Sequence, residues 1–270
     1  MDPHAAHRTD ATVGPLIRQW RTARGRSQLD LAPASNGSQR HLSFIESGRS
    51  RPSRPMLLNL AEVLDVPLRE RNTLLLAAGY APVYADGAWD APEMARVNTA
   101  IDRMLRQHAP YPALVMDRHW NVLRTNDAAP RLFGRFIDLG AFPKPRNLLR
   151  LVFDPHGLRP HLEDWDRLAP TLIGRVHREA VGRVIDDGTR RLLDDLMRYP
   201  GVQPQWQRPE AASSLPTTPL GLRHADGPIR YFSMVSTIGT PQTVLTQELR
   251  LECMFPADEA SDQRHLALMA

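Results

Sequence analysis

Two serines on either side of a turn signal constrain the local structure near the start of the chain. Ser27 is followed three positions later by Asp30, the arrangement of a helix N-cap with its reciprocal acidic partner. Ser38 is placed to cap a second helix and follows Asn36-Gly37, a pair typical of tight turns. The sequence therefore predicts two short helices joined by a tight turn.

The second of these helices is predicted to have two different sides. Leu42 and Ile45 lie three positions apart and are expected to face inward. The other side carries hydrogen-bond donors and an aromatic ring: Gln39, Arg40, Ser43 and Phe44. Such a row suits a DNA major groove, because Arg pairs with guanine edges, Gln pairs with adenine, and an apolar ring contacts the thymine methyl group.

The run SQLDLA, a turn and the run SQRHLSFIESGRSRPS together resemble the helix-turn-helix of XRE-type, phage-repressor-like transcription regulators over about twenty-five positions. The resemblance implies that Gln28 contacts a phosphate and that Arg49 and Arg51 contact the DNA backbone. It places Ser38, Gln39, Arg40 and Phe44 at base-facing positions, beside Ser43. It also implies a structural ion pair between Arg21 and Glu46, which ties the first helix to the third.

Two residues depart from the family pattern. Pro33 falls inside the first helix of the motif, and Gly37 replaces a small apolar turn residue. Because an interior proline destabilises a helix by about 3 kcal/mol, this helix is expected to stop or kink near Ala32. These departures motivate a second hypothesis, in which the chain is a ligand or protein-interaction sensor with a weakened helix-turn-helix and little DNA affinity.

Positive charge is concentrated around the motif. Between Pro15 and Arg54 eight arginines stand against Asp30 and Glu46, an excess of six charges, whereas the whole chain has a formal net charge of +4. A local excess of this kind is the electrostatic footprint that a phosphate backbone requires. A general preference for arginine would explain why Lys144 is the sole lysine, but it would not explain the clustering.

The chain length of 270 residues allows two domains, each with its own core. Residues 1–79 are predicted to form an all-α DNA-binding domain of five helices. Residues 80–92 are rich in Ala, Pro, Gly and Asp and are interpreted as a linker. A second domain is predicted at 93–257, its first helix at 93–108 acting as a connector, and 258–270 is expected to be a short polar helix or a frayed tail.

The hydrophobic period changes from helix to strand after Tyr111. Short apolar runs flank Asp117-Arg118-His119, which predicts a hairpin of strands Ala113–Met116 and Trp120–Leu123. Further strands are predicted at Leu220–His224, Ile229–Ile238 and Thr243–Phe255. The sequence thus predicts an α+β domain, one antiparallel sheet with helices on one side.

The run YPALVMDRHWNVLRTNDAA resembles the opening of a PAS-like sensor domain, and the order of elements resembles the ligand-binding domain of MmyB-like regulators. The resemblance implies a cavity for an elongated apolar molecule such as a fatty acid. Its lining candidates, chosen by alternation or bulk, are Val115, Trp120, Val122, Phe153, Phe232, Met234 and Val235. Arg150 or Arg178 is the candidate for a carboxylate head. Ordinary core packing is the alternative for each apolar residue.

Other chemistry finds little support in the sequence. Histidines gather at His156 and His161 beside Glu163, and at His177 beside Glu179, but no cysteine accompanies them and no HEXXH pattern is present. No GxSxG elbow occurs, and Cys253 has no nearby histidine in sequence. No metal, no haem or flavin cofactor and no catalytic residues are therefore predicted. An enzyme using the cavity is a third hypothesis without a paired nucleophile and base.

The expected setting follows from three observations. The chain has no run of eighteen apolar residues, its first ten residues lack the order of a signal peptide, and the lone Cys253 fits a reducing cytoplasm. The predicted partners are a double-stranded DNA operator, a small apolar ligand and a second copy of the chain, with no membrane partner. In such a homodimer the recognition helices would lie one DNA turn, about 34 Å, apart.

Overall fold

The computed structural model describes residues 12–179, 186–207 and 219–270. The chain divides into two compact units. The first contains the described residues up to Asp86 together with Gln242–Val244, and the second contains the other described residues from Gly87 onwards.

The first unit contains the five predicted helices. They are α1 Val13–Ala23, α2 Gln28–Ala34, α3 Gln39–Glu46, α4 Arg54–Val63 and α5 Leu68–Ala77. The hydroxyl groups of Ser27, Ser38 and Ser53 each accept a hydrogen bond from the backbone N–H three residues later, so three of these helices begin with a side-chain cap. The prediction of an all-α domain of five helices is confirmed.

Helices α1 and α3 approach each other closely in this unit. Ile17 and Trp20 of α1 share a core with Leu42 and Ile45 of α3. Gly14 lies at the crossing, where a Cβ atom would stand 2.4 Å from the carbonyl oxygen of Ile45. Only a glycine allows the two backbones to come this near.

The turn between α2 and α3 forms despite Pro33. Helix α2 continues through this residue to Ala34, so the expected stop near Ala32 is wrong. The proline lies close to the end of the helix, and the N–H of Gly37 closes that end on the carbonyl of Ala32 at 2.8 Å. Asn36, with φ of 56°, adopts the left-handed conformation of the turn.

Part of the predicted linker at 80–92 is attached to the first unit. The side-chain oxygen of Asn72 accepts hydrogen bonds from the N–H groups of Val83 and Tyr84, at 3.0 and 3.1 Å, and its amide donates to the Tyr84 carbonyl at 2.7 Å. Trp89, further along, packs against a core of the second unit. The segment is thus held by its backbone at Val83 and Tyr84 and by the side chain of Trp89.

The rest of the described chain forms seven further α-helices, several short 3-10 helices and five strands. The helices are α6 Ala95–Gln107, α7 Ala128–Gly134, α8 Leu148–Phe153, α9 Trp165–Glu179, α10 Asp187–Met197, α11 Val244–Glu248 and α12 Glu259–Met269. The strands are β1 Ala113–Met116, β2 Val122–Thr125, β3 Leu220–Leu222, β4 Ile229–Ser236 and β5 Arg250–Pro256.

The strands form one antiparallel sheet in the order β2-β1-β5-β4-β3, which confirms the predicted α+β class. The prediction of a continuous strand over Thr243–Phe255 is wrong, because α11 occupies its first part. Val244 and Thr246 are β-branched and favour strands, but this preference depends on context and is overridden here. The second strand of the hairpin begins at Val122, since Trp120 takes φ of 67° in the turn.

Helices cover both faces of this sheet, not one as predicted. On one face, Ile101 and Leu105 of α6 pack against Ala113, Val115 and Leu251 of β1 and β5. The apolar stripe of α6 is therefore buried on the sheet, and its interpretation as a mere connector is corrected. The other face carries the larger core, to which α7, α8, α9, α10 and α12 contribute.

Residues 258–270, expected to be a short polar helix or a frayed tail, contain the whole of α12 and belong to the second unit. Ser261, His265 and Met269 are buried. The His265 ring lies between two partners: Nε2 donates to the Pro110 carbonyl at 3.0 Å, so Nδ1 accepts from the Tyr231 hydroxyl at 2.7 Å. The hydrogen bonds fix this helix beside β4.

Candidate nucleic-acid interface and ligand site

The predicted DNA-reading row lies on the solvent side of α3. Leu42 and Ile45 are buried in the helical core. On the opposite side Ser38, Gln39 and Arg40 are exposed, and Ser43 and Phe44 are half-buried. The structure therefore brings the base-facing candidates together on one accessible helix face.

Phe44 positions two cations on this face. The guanidinium carbon of Arg40 lies 5.5 Å from the centre of the Phe44 ring, and that of Arg49 lies 6.0 Å from it. The Phe44 carbonyl also accepts the backbone N–H groups of Arg49 and Ser50, at 2.8 and 3.1 Å, which fixes the loop after α3. One ring thus holds an arginine of the helix beside an arginine of the following loop.

A buried carboxylate, that of Glu46, holds α3 against its neighbours. The Glu46 side chain is 0% exposed. Arg21 donates from Nε and Nη2 to its two oxygens at 2.6 and 3.0 Å, and the Gln28 amide donates at 2.8 Å. Burial alone would raise the pKa of this carboxyl, but the hydrogen bonds from Arg21 and Gln28 outweigh it and lower the pKa. The ion pair implied by the resemblance is present.

Three of the residues predicted to contact DNA also interact with other groups of the protein. The Gln28 amide binds Glu46 and the Ser38 hydroxyl caps α3. The Arg51 guanidinium stacks at 4.6 Å on Tyr80, whose hydroxyl donates to the Pro52 carbonyl at 3.0 Å. These side chains are therefore held in place before any DNA binds.

Not all the arginines counted in the sequence are available to a ligand. Arg21 is paired with Glu46, and Arg24 donates to the carbonyls of Leu64 and Asp65 at the end of α4. The exposed arginines of this region are Arg18, Arg26, Arg40, Arg49, Arg51 and Arg54. The sequence pattern gave the right region of positive charge but overstated the part of it that faces solvent.

The predicted ligand-contacting residues do not line one space. Trp120, Val122 and Phe153 pack in or against the larger core on one face of the sheet, whereas Val115 is buried under α6 on the other face. Alternation along a strand shows which of its residues share a face, but it does not show which residues of other strands lie on that face.

The remaining apolar candidates lie on β4. Phe232 stacks on Phe255 with ring centres 5.4 Å apart. Met234 and Val235 are 59% and 41% exposed. The structure thus separates these three side chains from the buried core around Trp120.

The two candidate cations for a carboxylate head are at the surface. Arg150 donates to Asp195 at 2.7 Å with half of its side chain exposed, and Arg178 is exposed. Neither lies inside the core.

A different cation, Arg175 of α9, reaches the core face of the sheet. Its guanidinium binds Glu179 at 2.6 Å and Glu252 at 3.0 Å and lies 4.4 Å from the centre of the Trp120 ring. Burial alone would lower the pKa of Arg175, but Glu252 and Glu179 raise it. The spacing of Leu168, Leu172 and Arg175 along one stripe of α9 was the sequence signal for this position.

Within the described ranges, no group of three or more His, Cys, Asp or Glu side chains is arranged to hold a metal ion. The same part of the chain contains no helix long and apolar enough to cross a bilayer.

Two family models match the chain. The MmyB-like transcription regulator ligand binding domain matches residues 97–268, more than half of the chain, and a helix-turn-helix model matches residues 17–71. The resemblances to an XRE-type helix-turn-helix and to MmyB-like regulators are thereby confirmed. Both families are regulator domains and not enzyme families.

Among solved structures the chain is similar to one described as "Structure of an RNA-binding Light-Oxygen-Voltage Receptor", with 13% identity and a TM-score of 0.29. That match covers 98% of the present chain and 64% of the receptor's length. No match was found among curated proteins.

Proposed function

Because the chain belongs to the MmyB-like transcription regulators, we propose that it binds a specific DNA operator through α3 and that a small apolar effector in its C-terminal domain controls this binding. The single observation that carries the proposal is the exposed face of α3, where Arg40 and Arg49 flank Phe44. That face is fixed from behind by the buried Glu46 cluster, so the side chains are presented on a rigid helix.

The residues divide into two roles under this proposal. Arg40 and Gln39 read base edges in the major groove, with Ser38, Ser43 and Phe44 beside them. Gln28, Arg49 and Arg51 contact phosphates, which positions the helix without reading sequence. Two copies of the chain bind together, with recognition helices about 34 Å apart along the duplex.

The effector is proposed to be fatty-acid-like and to occupy the PAS-like domain on the Trp120 side of the sheet. Trp120 and Phe153 supply a buried apolar surface there, and Arg175 is the cation that borders it. A carboxylate ligand would compete with Glu179 or Glu252 for the guanidinium. The effector changes DNA affinity only by the difference between its affinities for the DNA-binding and the non-binding arrangement of the protein.

Selection of DNA from a random-sequence pool by the purified full-length protein tests the proposal. We expect a motif with two related half-sites whose centres are about one helical turn apart. A pool that gains no motif would favour the alternative, a sensor with little DNA affinity. The continuation of α2 through Pro33 supports the regulator over this alternative, since the motif helix is intact.

Native mass spectrometry of the same preparation tests the effector and the dimer together. We expect a dimer carrying an added mass in the range of a fatty acid. A ligand-free monomer that exchanges no added fatty acid would contradict this part of the proposal, and the DNA selection would stand unaffected.

A further inference from the structure

A polar pocket lies where α9 begins, at the edge of the sheet formed by β3 and β4. Its volume is about 310 Å³. It is lined by the charged residues Glu163, Asp164, Arg167 and Arg230 and by Leu168 and Pro219. None of these was among the predicted effector contacts, so the pocket is a separate candidate site.

One wall of the pocket is held by a two-point ion pair. Arg230 donates from Nε and Nη2 to the two oxygens of Glu163, at 2.9 and 3.1 Å. The backbone N–H of Glu163 also donates to the Gly221 carbonyl at 2.9 Å. A Cβ atom at Gly221 would stand 2.3 Å from the Glu163 carboxylate, so the glycine makes room for this pair. The two charges cancel and are fixed in place.

The other charged pair, Arg167 and Asp164, is not joined by a hydrogen bond. The Arg167 guanidinium and the Asp164 carboxylate approach only to 3.9 Å, which is too long for a hydrogen bond, and their side chains are 50% and 65% exposed. Within the described part of the chain neither of these charged groups makes a side-chain hydrogen bond at all. The pocket therefore offers one cation and one carboxylate that water solvates and that a ligand can reach.

This arrangement selects a ligand that carries both charges. A simple anion would be attracted by Arg167 but repelled by Asp164, and a simple cation would meet the reverse. A volume of about 310 Å³ is at the small end of ligand pockets, and the buried Leu168 gives it an apolar floor. An elongated fatty acid does not fit this description.

We propose that the pocket binds a small zwitterion of the α-amino-acid class with a short apolar side chain. Its carboxylate binds Arg167, its ammonium group binds Asp164, and its side chain packs on Leu168. The site goes beyond the proposed function and does not depend on it, because it requires neither DNA binding nor the apolar effector.

Isothermal titration calorimetry on the full-length protein tests the pairing of charges with three probes of similar shape. Leucine carries both charges, isocaproate only the carboxylate and isoamylamine only the ammonium group. We expect leucine to bind and each single-charge probe to bind at least about tenfold more weakly, since each loses one charge-assisted contact. No heat from leucine in the millimolar range, or equal affinity for a single-charge probe, would overturn the proposal.

Two variants locate the site. Arg167→Gln and Asp164→Asn should each weaken leucine binding by about tenfold. Arg198→Gln is the control, because Arg198 is also an exposed arginine paired with a carboxylate three residues before it, Asp195, and it should leave leucine affinity unchanged. Unchanged affinity in Arg167→Gln would show that leucine binds elsewhere. The probe comparison uses the unaltered chain, so it remains decisive even if a variant misfolds.

Discussion

The two units of the molecule bury charge in opposite ways. In the first, a carboxylate, Glu46, is enclosed and receives hydrogen bonds from Arg21 and Gln28. In the second, a guanidinium, Arg175, lies between Glu179 and Glu252. The Glu46 cluster joins three helices and fixes the surface that α3 presents, whereas the Arg175 cluster joins one helix to a central strand. The comparison indicates that the first cluster supports an exposed helix face and that the second lies beside the buried core around Trp120.

Removal of the Glu46 carboxylate should have the largest effect. Glu46→Ala leaves the Arg21 guanidinium without its partner, and loss of one member of a buried pair costs about 3–5 kcal/mol. We expect urea unfolding, followed by circular dichroism, to show the first unit unfolding at much lower denaturant. Glu62→Ala, at an exposed position of α4, is the control and should change stability little. Equal effects of the two changes would show that the Glu46 cluster does not hold the helices together.

Loss of Arg175 should have a smaller effect of the same kind. Arg175→Met should destabilise the second unit by about 2–3 kcal/mol, because Glu252 is left buried while the guanidinium was itself partly exposed. The double variant Arg175→Met with Glu252→Met should recover most of this loss, since apolar residues of similar size replace buried ion pairs at little cost. If the double variant were no more stable than Arg175→Met, an unpaired Glu252 would not be the cause of the lost stability.

Matched glycine substitutions test the close packing of the first unit. Gly14→Ala should cost about 1–3 kcal/mol, because its Cβ would clash with the Ile45 carbonyl. Gly134→Ala, in α7, adds a Cβ with no atom within 4 Å and should be neutral or stabilising by up to about 1 kcal/mol. Thermal unfolding of both variants measures the difference. A Gly14→Ala variant as stable as Gly134→Ala would refute the close contact of α1 with α3.

The smallest expected effect is a pH dependence of the second unit. Burial lowers the pKa of His265 below its usual value of about 6.5. The unfolded chain therefore binds a proton at this residue before the folded chain does, so its contribution is complete well above pH 6.5 and is lost as the pH falls through that value.

The midpoint of urea unfolding should fall as the pH is lowered from 7.5 to 5, a range that includes the ordinary histidine pKa. The variant His265→Gln should show a smaller dependence of this midpoint on pH. His177, whose pKa burial also lowers, accounts for a further part. If stability depended on pH equally in His265→Gln and in the unaltered protein, other groups would be responsible for the pH dependence.

The first unit could be predicted almost completely from sequence because its signals are local. Ser27, Ser38 and Ser53 each cap a helix within one turn, and the spacing of Leu42 and Ile45 alone fixes the buried side of α3. The error at Pro33 arose from an average proline penalty, which took no account of how near the helix end this residue lies.

The second unit could be predicted less well because its interior depends on long-range register. The strands themselves were largely found, but the face on which Val115 or Phe232 lies depends on pairing with β5. The stripe on α9 could show that Arg175 faces inward, but its pairing could not be predicted because Glu252 is 77 positions away in sequence. The polar pocket likewise joins Glu163 to Arg230, which no local pattern connects.

The most direct test of the central claim compares Arg40→Ala with the unaltered protein on the selected operator and on random DNA. Arg40 reads bases in this account, so the variant should lose about 1–3 kcal/mol of binding free energy on the operator and little on random DNA. Arg49→Ala, whose guanidinium packs on the same Phe44 ring, should weaken both and reduce the salt dependence. Equal small losses on both DNAs for Arg40→Ala would contradict the assignment of α3 as the reading helix.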